Sequence, residues 1–283
     1  MSGNHPGSCI LAVETTGSIA SVALALRRSD ARGIAAFEIV EKRSRGHLRH
    51  LTELMPMIRD LLAETKRAPA DMDAIAVSAG PGSFTGIRIG VSTARALAQI
   101  LEIPVIETPT LETFVYHAHM GEGIACPIFN AGRGQMYAGA FHRTPEEGIE
   151  RLVPGGAYDP PDFFGALRAA LIRPGAGASS GDALSPPAEI VFFGDGLDEF
   201  ESVLSSFRAS VADGSDEGIR AGTLYTRCVA PPLGVQTAGA TVRRALAHGV
   251  PKEYRDLLPI YMRKAEAQRK LEERLSRSGG ADD

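Results

Sequence analysis

The sequence predicts an α/β protein built as two similar lobes. Two observations carry this. Short apolar runs alternate with segments of helical period in the order strand, strand, strand, helix, strand, helix over the first hundred residues, and a less regular version follows. The chain has 283 residues, of which 44% are hydrophobic and 23% charged, which suits one large globular unit that needs no staples.

Cys9–Glu14 (CILAVE) reads as a buried strand that ends in Thr15-Thr16-Gly17-Ser18. Ser21–Leu26 alternates, with Val22, Leu24 and Leu26 on one face, and Ala35–Arg43 gives a third strand. From His47 to Glu64 the period changes to helical, with Leu48, Leu51, Leu54, Met55, Ile58, Leu61 and Leu62 in step and a kink expected at Pro56. Asp73–Ser78 is a strand that runs into Gly80-Pro81-Gly82-Ser83-Phe84-Thr85-Gly86. A second helix, Ile87–Leu101, places Gly90, Ala94 and Ala98 four apart, a spacing that lets another helix approach closely. Pro104–Glu107 resumes a strand, and Leu111–His119 reads as helical.

In the second half, Ala125–Ala131 and Gln135–His142 form a hairpin around Gly132-Arg133-Gly134. Asp159–Ile172 is a helix, Glu189–Phe193 a strand ending in Gly194-Asp195-Gly196, and Gln236–His248 a helix closed by Gly249 and Pro251. Pro259–Arg263 is extended and Lys264–Arg277 is a charged helix. Pro174–Pro187 and Ser210–Gly222 read as polar loops. The resulting division is 1–107 for the first lobe, with the C-terminal helix 259–277 packing back on it, and 108–258 for the second, with loop insertions near 173–188 and 208–222.

A net charge of −4 argues against a free-standing nucleic-acid binder, although 25 of the 30 basic residues are Arg. No apolar stretch reaches membrane-spanning length, and Met1–Ser8 lacks the features of a signal peptide. Cys9, Cys126 and Cys228 form no metal-ligand spacing and point to a reduced, cytoplasmic setting.

The glycine-rich turn from strand into helix has two readings, a phosphate- or partner-docking loop and a connection that merely needs glycine. It is neither a P-loop nor a dinucleotide fingerprint. Taken together, however, ILAVETTGSIASVALAL, HLRHLTELMPMIRDLL, AGPGSFTGIRIG, IFNAGRGQMYAGAF (Ile128–Phe141) and LPIYMRKAEAQRK (Leu258–Lys270) closely resemble the bacterial TsaB (YeaZ) family across both lobes and in order.

The resemblance implies an actin-like, Hsp70-type (ASKHA) pair of RNase H-like lobes. It also implies a non-catalytic scaffold that pairs with the transferase TsaD and the ATPase TsaE. That complex forms N6-threonylcarbamoyladenosine at position 37 of tRNAs reading codons that start with A. The chain would reach tRNA only through the complex, would dimerise when alone, and would carry no cofactor of its own, unless ATP or ADP sits at the junction with TsaD.

The residues bear on that role. Where TsaD carries its metal-binding HxxxH pair, this chain has Thr110 and Phe114, neither of which replaces an imidazole. The first-strand Asp of actin-like nucleotide sites is Glu14, and two second-lobe carboxylates become Asn130 and Gln135. Glu14, Thr15, Thr16, Gly80, Gly82, Ser83, Thr85, Gly86, Asn130, Gly194 and Gly196 therefore read either as a working phosphate site or as its degenerate relic. His47 and His50 can share a metal or serve a surface, and His117 and His119 cannot face one way on a helix. No peptidase constellation occurs, so catalytic and metal-ligating residues are expected to be absent.

The partner surface is expected on the two N-terminal helices, at His50, Leu51, Leu54, Met55, Ile58, Leu61, Ile87, Arg88, Val91 and Arg95, with the alternative that the apolar stripe is the lobe's own core. If the stripe faces outward, Leu54→Asp breaks the complex without harming the fold. The competing functions are a stand-alone ATP-dependent carbamoyltransferase or kinase, and a glycoprotease-type peptidase. Arg263, Lys264, Arg269 and Lys270 are open to two readings, tRNA contact or a solvated helix face.

Overall fold

A computed structural model describes residues 9–29, 35–44, 50–144, 148–172, 188–215, 219 and 224–262. Two sheets form, each from three antiparallel strands followed by two parallel ones with helices between. In the first, β1 (Cys9–Glu14), β2 (Ser21–Ser29) and β3 (Ala35–Arg43) are antiparallel neighbours. Helix α1 (His50–Glu64) leads to β4 (Ala74–Gly80), parallel to β1, and α2 (Phe84–Leu101) leads to β5 (Val105–Pro109), parallel to β4. In the second, β6 (Ile124–Gly132), β7 (Gln135–Thr144) and β8 (Gly148–Tyr158) are antiparallel. Helix α3 (Pro160–Ile172), β9 (Ala188–Phe193), α4 (Glu201–Asp213) and β10 (Leu224–Val229) then repeat the parallel half. Helix α5 (Ala238–His248) and β11 (Pro251–Lys252) return to the first sheet, where β11 pairs with β5 at the edge. The fold is thus the actin-like pair of α/β lobes.

The burial of each strand follows from its two faces. Every residue of β1 is buried, as its uninterrupted apolar run requires, because α1 and α2 cover one face of the sheet and α5 the other. The second sheet is likewise covered by α3 and α4 on one face. A 3₁₀ segment, Thr110–Tyr116, packs on its other face.

A buried ion pair ties the lobes. Glu112, on that 3₁₀ segment, accepts from Arg244 Nη2 of α5 at 2.9 Å and from Arg151 Nε of β8 at 2.7 Å. Glu112 is 5% and Arg244 9% exposed, so each charge depends on the other for its solvation.

Several expectations change. The sequence missed β8, α4 and β10, and the polar loop expected from Ser210 is helix as far as Asp213. Residues Thr110–Tyr116 form a 3₁₀ helix rather than part of an α-helix. Helix α1 continues through Pro56. Gly90 approaches Thr15 and Val77, so the small residues of α2 admit the sheet rather than another helix. Helix α5 and β11 join the first sheet, although both fall within the residues 108–258 that the sequence assigns to the second lobe. The tract 174–187 and the helix expected over 264–277 lie outside the described residues.

The largest correction concerns the helical stripe. Leu54 is 2%, Ile58 3%, Leu61 0%, Ile87 1% and Val91 3% exposed, and all five belong to the first lobe's own core. An amphipathic helix on a sheet must bury that stripe inward. Met55, by contrast, is 49% exposed. Leu54→Asp should therefore cost more than about 3 kcal/mol in chemical denaturation. Met55→Asp should stay within about 0.5 kcal/mol of the wild type. Equal, small effects would show that the stripe does not serve the core.

Candidate functional site

The motif residues converge where β1 and β4 end beside the start of α2. The turn after β1 lies directly on the first turn of that helix. Thr15 Oγ1 donates to Gly86 O at 2.7 Å, and Ser83 N donates to Thr16 O at 2.7 Å. Ser83 also caps α2, its Oγ accepting from Gly86 N at 3.2 Å.

The glycines serve this contact. A Cβ on Gly86 would lie 1.9 Å from Thr15 O, and one on Gly82, whose φ is +156°, 2.5 Å from Thr16 O. Thr15 and Thr16 thus lie directly against Gly86 and Gly82, and this close contact needs glycine at both positions. Thr85 is exposed on the first turn, and Gly80 closes β4.

Beneath this turn sits Glu14, with no exposed surface. Its Oε1 accepts from Thr16 N and Thr16 Oγ1, both at 2.6 Å. Its Oε2 accepts no hydrogen bond among the described residues, although the hydroxyls of Ser78 and Thr241 adjoin it and bond each other at 2.9 Å. Burial pushes the carboxyl above its ordinary range, against the opposing pull of the neighbouring hydroxyls. A carboxyl so enclosed is shifted toward its neutral form.

Above the turn a cleft of about 220 Å³ opens between loops of the two lobes. The first lobe contributes Thr16, Gly17, Ser18, Gly82 and Ser83, the second Phe129, Asn130, Tyr137 and Asp195, and Gln236 closes one side. Among the described residues no Lys, Arg or His lines it. Its carboxyl is that of Asp195, which burial pushes up and the amides of Asn130 and Asp195 pull down. A triphosphate would meet no cation among the described residues of these walls. Asn130 is committed locally, its Oδ1 accepting from Gly132 N at 2.6 Å. Gly194 and Gly196 form the turn after β9, where Gly196 N donates to Ile128 O at 3.1 Å. Gln135 opens β7 opposite Gly132. A groove of about 600 Å³ at the other end of α2, between Gln99–Pro104 and Pro251–Arg255, holds none of the motif residues.

The positions aligned with metal ligands are closed. Thr110 and Phe114 have no exposed surface, and on a 3₁₀ helix positions four apart do not share a face. Phe114 stacks instead among Phe129, Phe193 and His117. His117 is buried, with Nε2 3.0 Å from Val235 O, while its Nδ1 accepts from His119 N at 3.2 Å. Both contacts suit the neutral ring, and burial lowers its pKa to about 4. Because this segment is not an α-helix, the His117 and His119 rings do come within 5.5 Å, against the sequence expectation. Among the described residues no group of His, Cys, Asp or Glu is placed to hold a metal. His47 and the side chains of His50 and Leu51 lie outside the description.

Sequence reasoning missed Tyr137, Gln236 and Tyr261. Tyr261 meets Phe84 with ring centroids 5.1 Å apart, and Arg88 Nε donates to its hydroxyl at 3.1 Å. The only sequence signal was that Leu258–Lys270 belongs to a family-like motif.

Comparison with known proteins places these features. A family model described as "TsaD: tRNA N6-adenosine threonylcarbamoyltransferase" matches residues 44–171. The tRNA threonylcarbamoyladenosine biosynthesis protein TsaB of Bacillus subtilis is 38% identical over 145 residues, covering 51% of this chain and 59% of that protein. TsaB of Escherichia coli is 34% identical over 142 residues, covering 50% and 57%. The chain thus spans less than two thirds of the length of these curated relatives. Among solved structures, YeaZ from Pseudomonas aeruginosa superposes with a TM-score of 0.61 at 23% identity, over 90% of this chain and 99% of that one. A second Pseudomonas aeruginosa structure, of a protein with similarity to the peptidase YeaZ, gives 0.62 at 24% identity, over 90% and 100%.

The buried carboxyl yields a test with a defined sign. Glu14 holds a proton in the folded chain at pH values where the unfolded chain has released it, so its contribution is complete at acid pH and is lost as pH rises through the raised folded value. Glu14→Gln is always neutral and should remove up to about 1.4 kcal/mol per pH unit of falling stability above pH ~4.3. Chemical denaturation across pH on both proteins checks this, and parallel curves would refute a neutral Glu14.

Proposed function

The chain belongs to the TsaB/YeaZ family, and on that premise we propose that it acts as a non-catalytic scaffold for a TsaD-type transferase that makes N6-threonylcarbamoyladenosine in tRNA. The observation that carries this reading is the closed start of α2. There Thr15 and Thr16 occupy the approach to Gly82 and Gly86, and the first-strand acid is buried under its own loop. A metal–phosphate site needs exposed carboxylates and open amides at this place. The cleft above, whose described walls carry no Lys, Arg or His, supports a relic over a working nucleotide site.

A scaffold acts through its surface. With the apolar stripe turned inward, the described residues of the expected set that remain accessible are Met55 on α1 and Arg88 on α2, both exposed, and the half-buried Arg95. These side chains, with Phe84 and Tyr261 beside Arg88, are our assignment for the partner contact. Met55 suits it, because an unbranched thioether adapts to the surface it meets. In this reading a TsaE-type ATPase joins the pair, tRNA is reached through the partner, and the same face supports a homodimer when the chain is alone. ATP or ADP, where present, sits at the junction. No helix among the described residues is long and apolar enough to cross a membrane. We assign the chain to the cytoplasm, where the tRNA modified by the partner transferase would be.

Reconstitution from purified components tests this. Leaving out the chain should stop tRNA threonylcarbamoylation, the chain alone should give none, and Met55→Asp should weaken co-purification with the partner while the protein stays folded. Turnover by the chain alone would instead favour the stand-alone enzyme.

A further inference from the structure

The cleft between the lobes lacks the cations a triphosphate needs among its described walls, yet it keeps polar and aromatic groups that the scaffold role does not use. Its aromatic side comes from one strand pair. Phe129 of β6 and Tyr137 of β7 are direct cross-strand partners, so both side chains leave the sheet on the same face. Phe129 is buried and seated against Phe114, with ring centroids 5.6 Å apart, while Tyr137 is half-buried.

The polar side carries donors and acceptors together. Asn130 Oδ1 is taken by Gly132 N, which leaves its Nδ2 as a donor. Asp195 supplies an exposed carboxyl and Ser18 a half-buried hydroxyl. Gln236 is the telling residue. It is only 4% exposed and lines the cleft, yet its carboxamide forms no hydrogen bond among the described residues. Its backbone is fixed on both sides, because Val235 O lies 3.0 Å from His117 Nε2 and Thr237 caps α5. Gly17 makes room for it, since a Cβ there would lie 2.4 Å from Gln236 Oε1. A buried carboxamide without partners costs free energy that a hydrogen-bonding ligand recovers.

We propose that this cleft binds a neutral ring bearing adjacent hydroxyls, the size of a single sugar, stacked on Tyr137 and hydrogen-bonded by Asn130, Asp195 and Gln236. A hydroxyl both donates and accepts, so adjacent hydroxyls satisfy the carboxyl and the amides at once. A phosphate fits less well, because it offers acceptors to Asp195. An ammonium offers donors alone and leaves the N–H groups of Asn130 and Gln236 unmet. The volume of about 220 Å³ lies below that of drug-sized sites, which limits the occupant to about one ring. The same chemistry occurs in a free monosaccharide and in the ribose of a nucleoside whose base projects from the open cleft. This site goes beyond the scaffold role and does not depend on it.

Calorimetry and saturation-transfer NMR on the full-length chain test this with D-ribose, D-glucose and adenosine. At least one should bind with a Kd of about 1 mM or tighter. Tighter binding of a free sugar or of adenosine identifies the source of the ring. The 2-deoxy counterpart of the ligand that binds should lose about tenfold or more, because a site built to bond a hydroxyl rejects the analogue that lacks it. Asp195→Asn and Gln236→Leu should each weaken binding about tenfold. Thermal melts show whether both variants fold, and Asp195→Asn alone decides if Gln236→Leu does not. No binding of any of the three probes at about 10 mM would overturn the proposal. So would binding that neither folded variant weakens, or tighter binding of inorganic phosphate or AMP than of the neutral probes.

Discussion

The contact between the turn after β1 and the first turn of α2 is the constraint on which the rest of the molecule depends. A strand end and a helix start can lie this close only if the helix side lacks Cβ atoms, which Gly82 and Gly86 provide. Once they meet, the turn and the helix satisfy each other. The Thr15 hydroxyl donates to Gly86 O, Ser83 N donates to Thr16 O, and the Ser83 hydroxyl accepts from Gly86 N. Helix starts attract anions because their amides lack partners. At this one Ser83 N is taken by Thr16 O and Gly86 N by the Ser83 hydroxyl. The same closure seals Glu14 below, and a sealed carboxyl is more stable neutral than charged.

The lobes are joined by a different chemistry. Helix α5 lies on the first sheet, starts at a Thr237 cap, and its Ala238 N donates to Ser21 Oγ at 2.8 Å. It also carries Arg244 to Glu112, whose other oxygen holds Arg151 of the second sheet. The joint is therefore ionic and buried, while each lobe's interior is apolar. Such a joint adds little net stability against a hydrophobic replacement, but it fixes which atoms meet.

How much of this could be read in advance depended on the local signal. Ala35–Arg43 was legible with its observed bounds, because an alternating run between a turn and a helix has little other choice. The hairpin around Gly132-Arg133-Gly134 was legible too, since three consecutive positive φ values need such residues. Strand β8 was not: GIERLVPGGAY carries a proline and paired glycines, and only Gly148 and Val153 are buried in it. Helix α4 has Leu204, Phe207 and Val211 at helical spacing, but its serines compete for the backbone and mask the pattern. The inward turn of the α1 stripe was not legible for a deeper reason. Periodicity shows that a helix has an apolar face but not what covers it, and here the sheet does. Glu112, an acid in an otherwise apolar segment, offered no sequence sign that two arginines from distant elements would meet it.

Helix α2 links the lost site to the proposed surface. Its inner face, Gly86, Gly90, Ala94 and Ala98, is small so that the helix can sit down on β4 and on Thr15. That seating lays the turn after β1 on the helix start, and it also fixes the direction of the opposite face. Because the helix cannot roll without driving Gly86 or Gly90 into Thr15, Phe84, Arg88 and Arg95 are held at one angle to the lobe. A rigid element presenting a stacked guanidinium loses little conformational entropy on docking. Closing the site and stiffening the surface are thus two results of one packing arrangement, and a substitution that reopened the first would loosen the second.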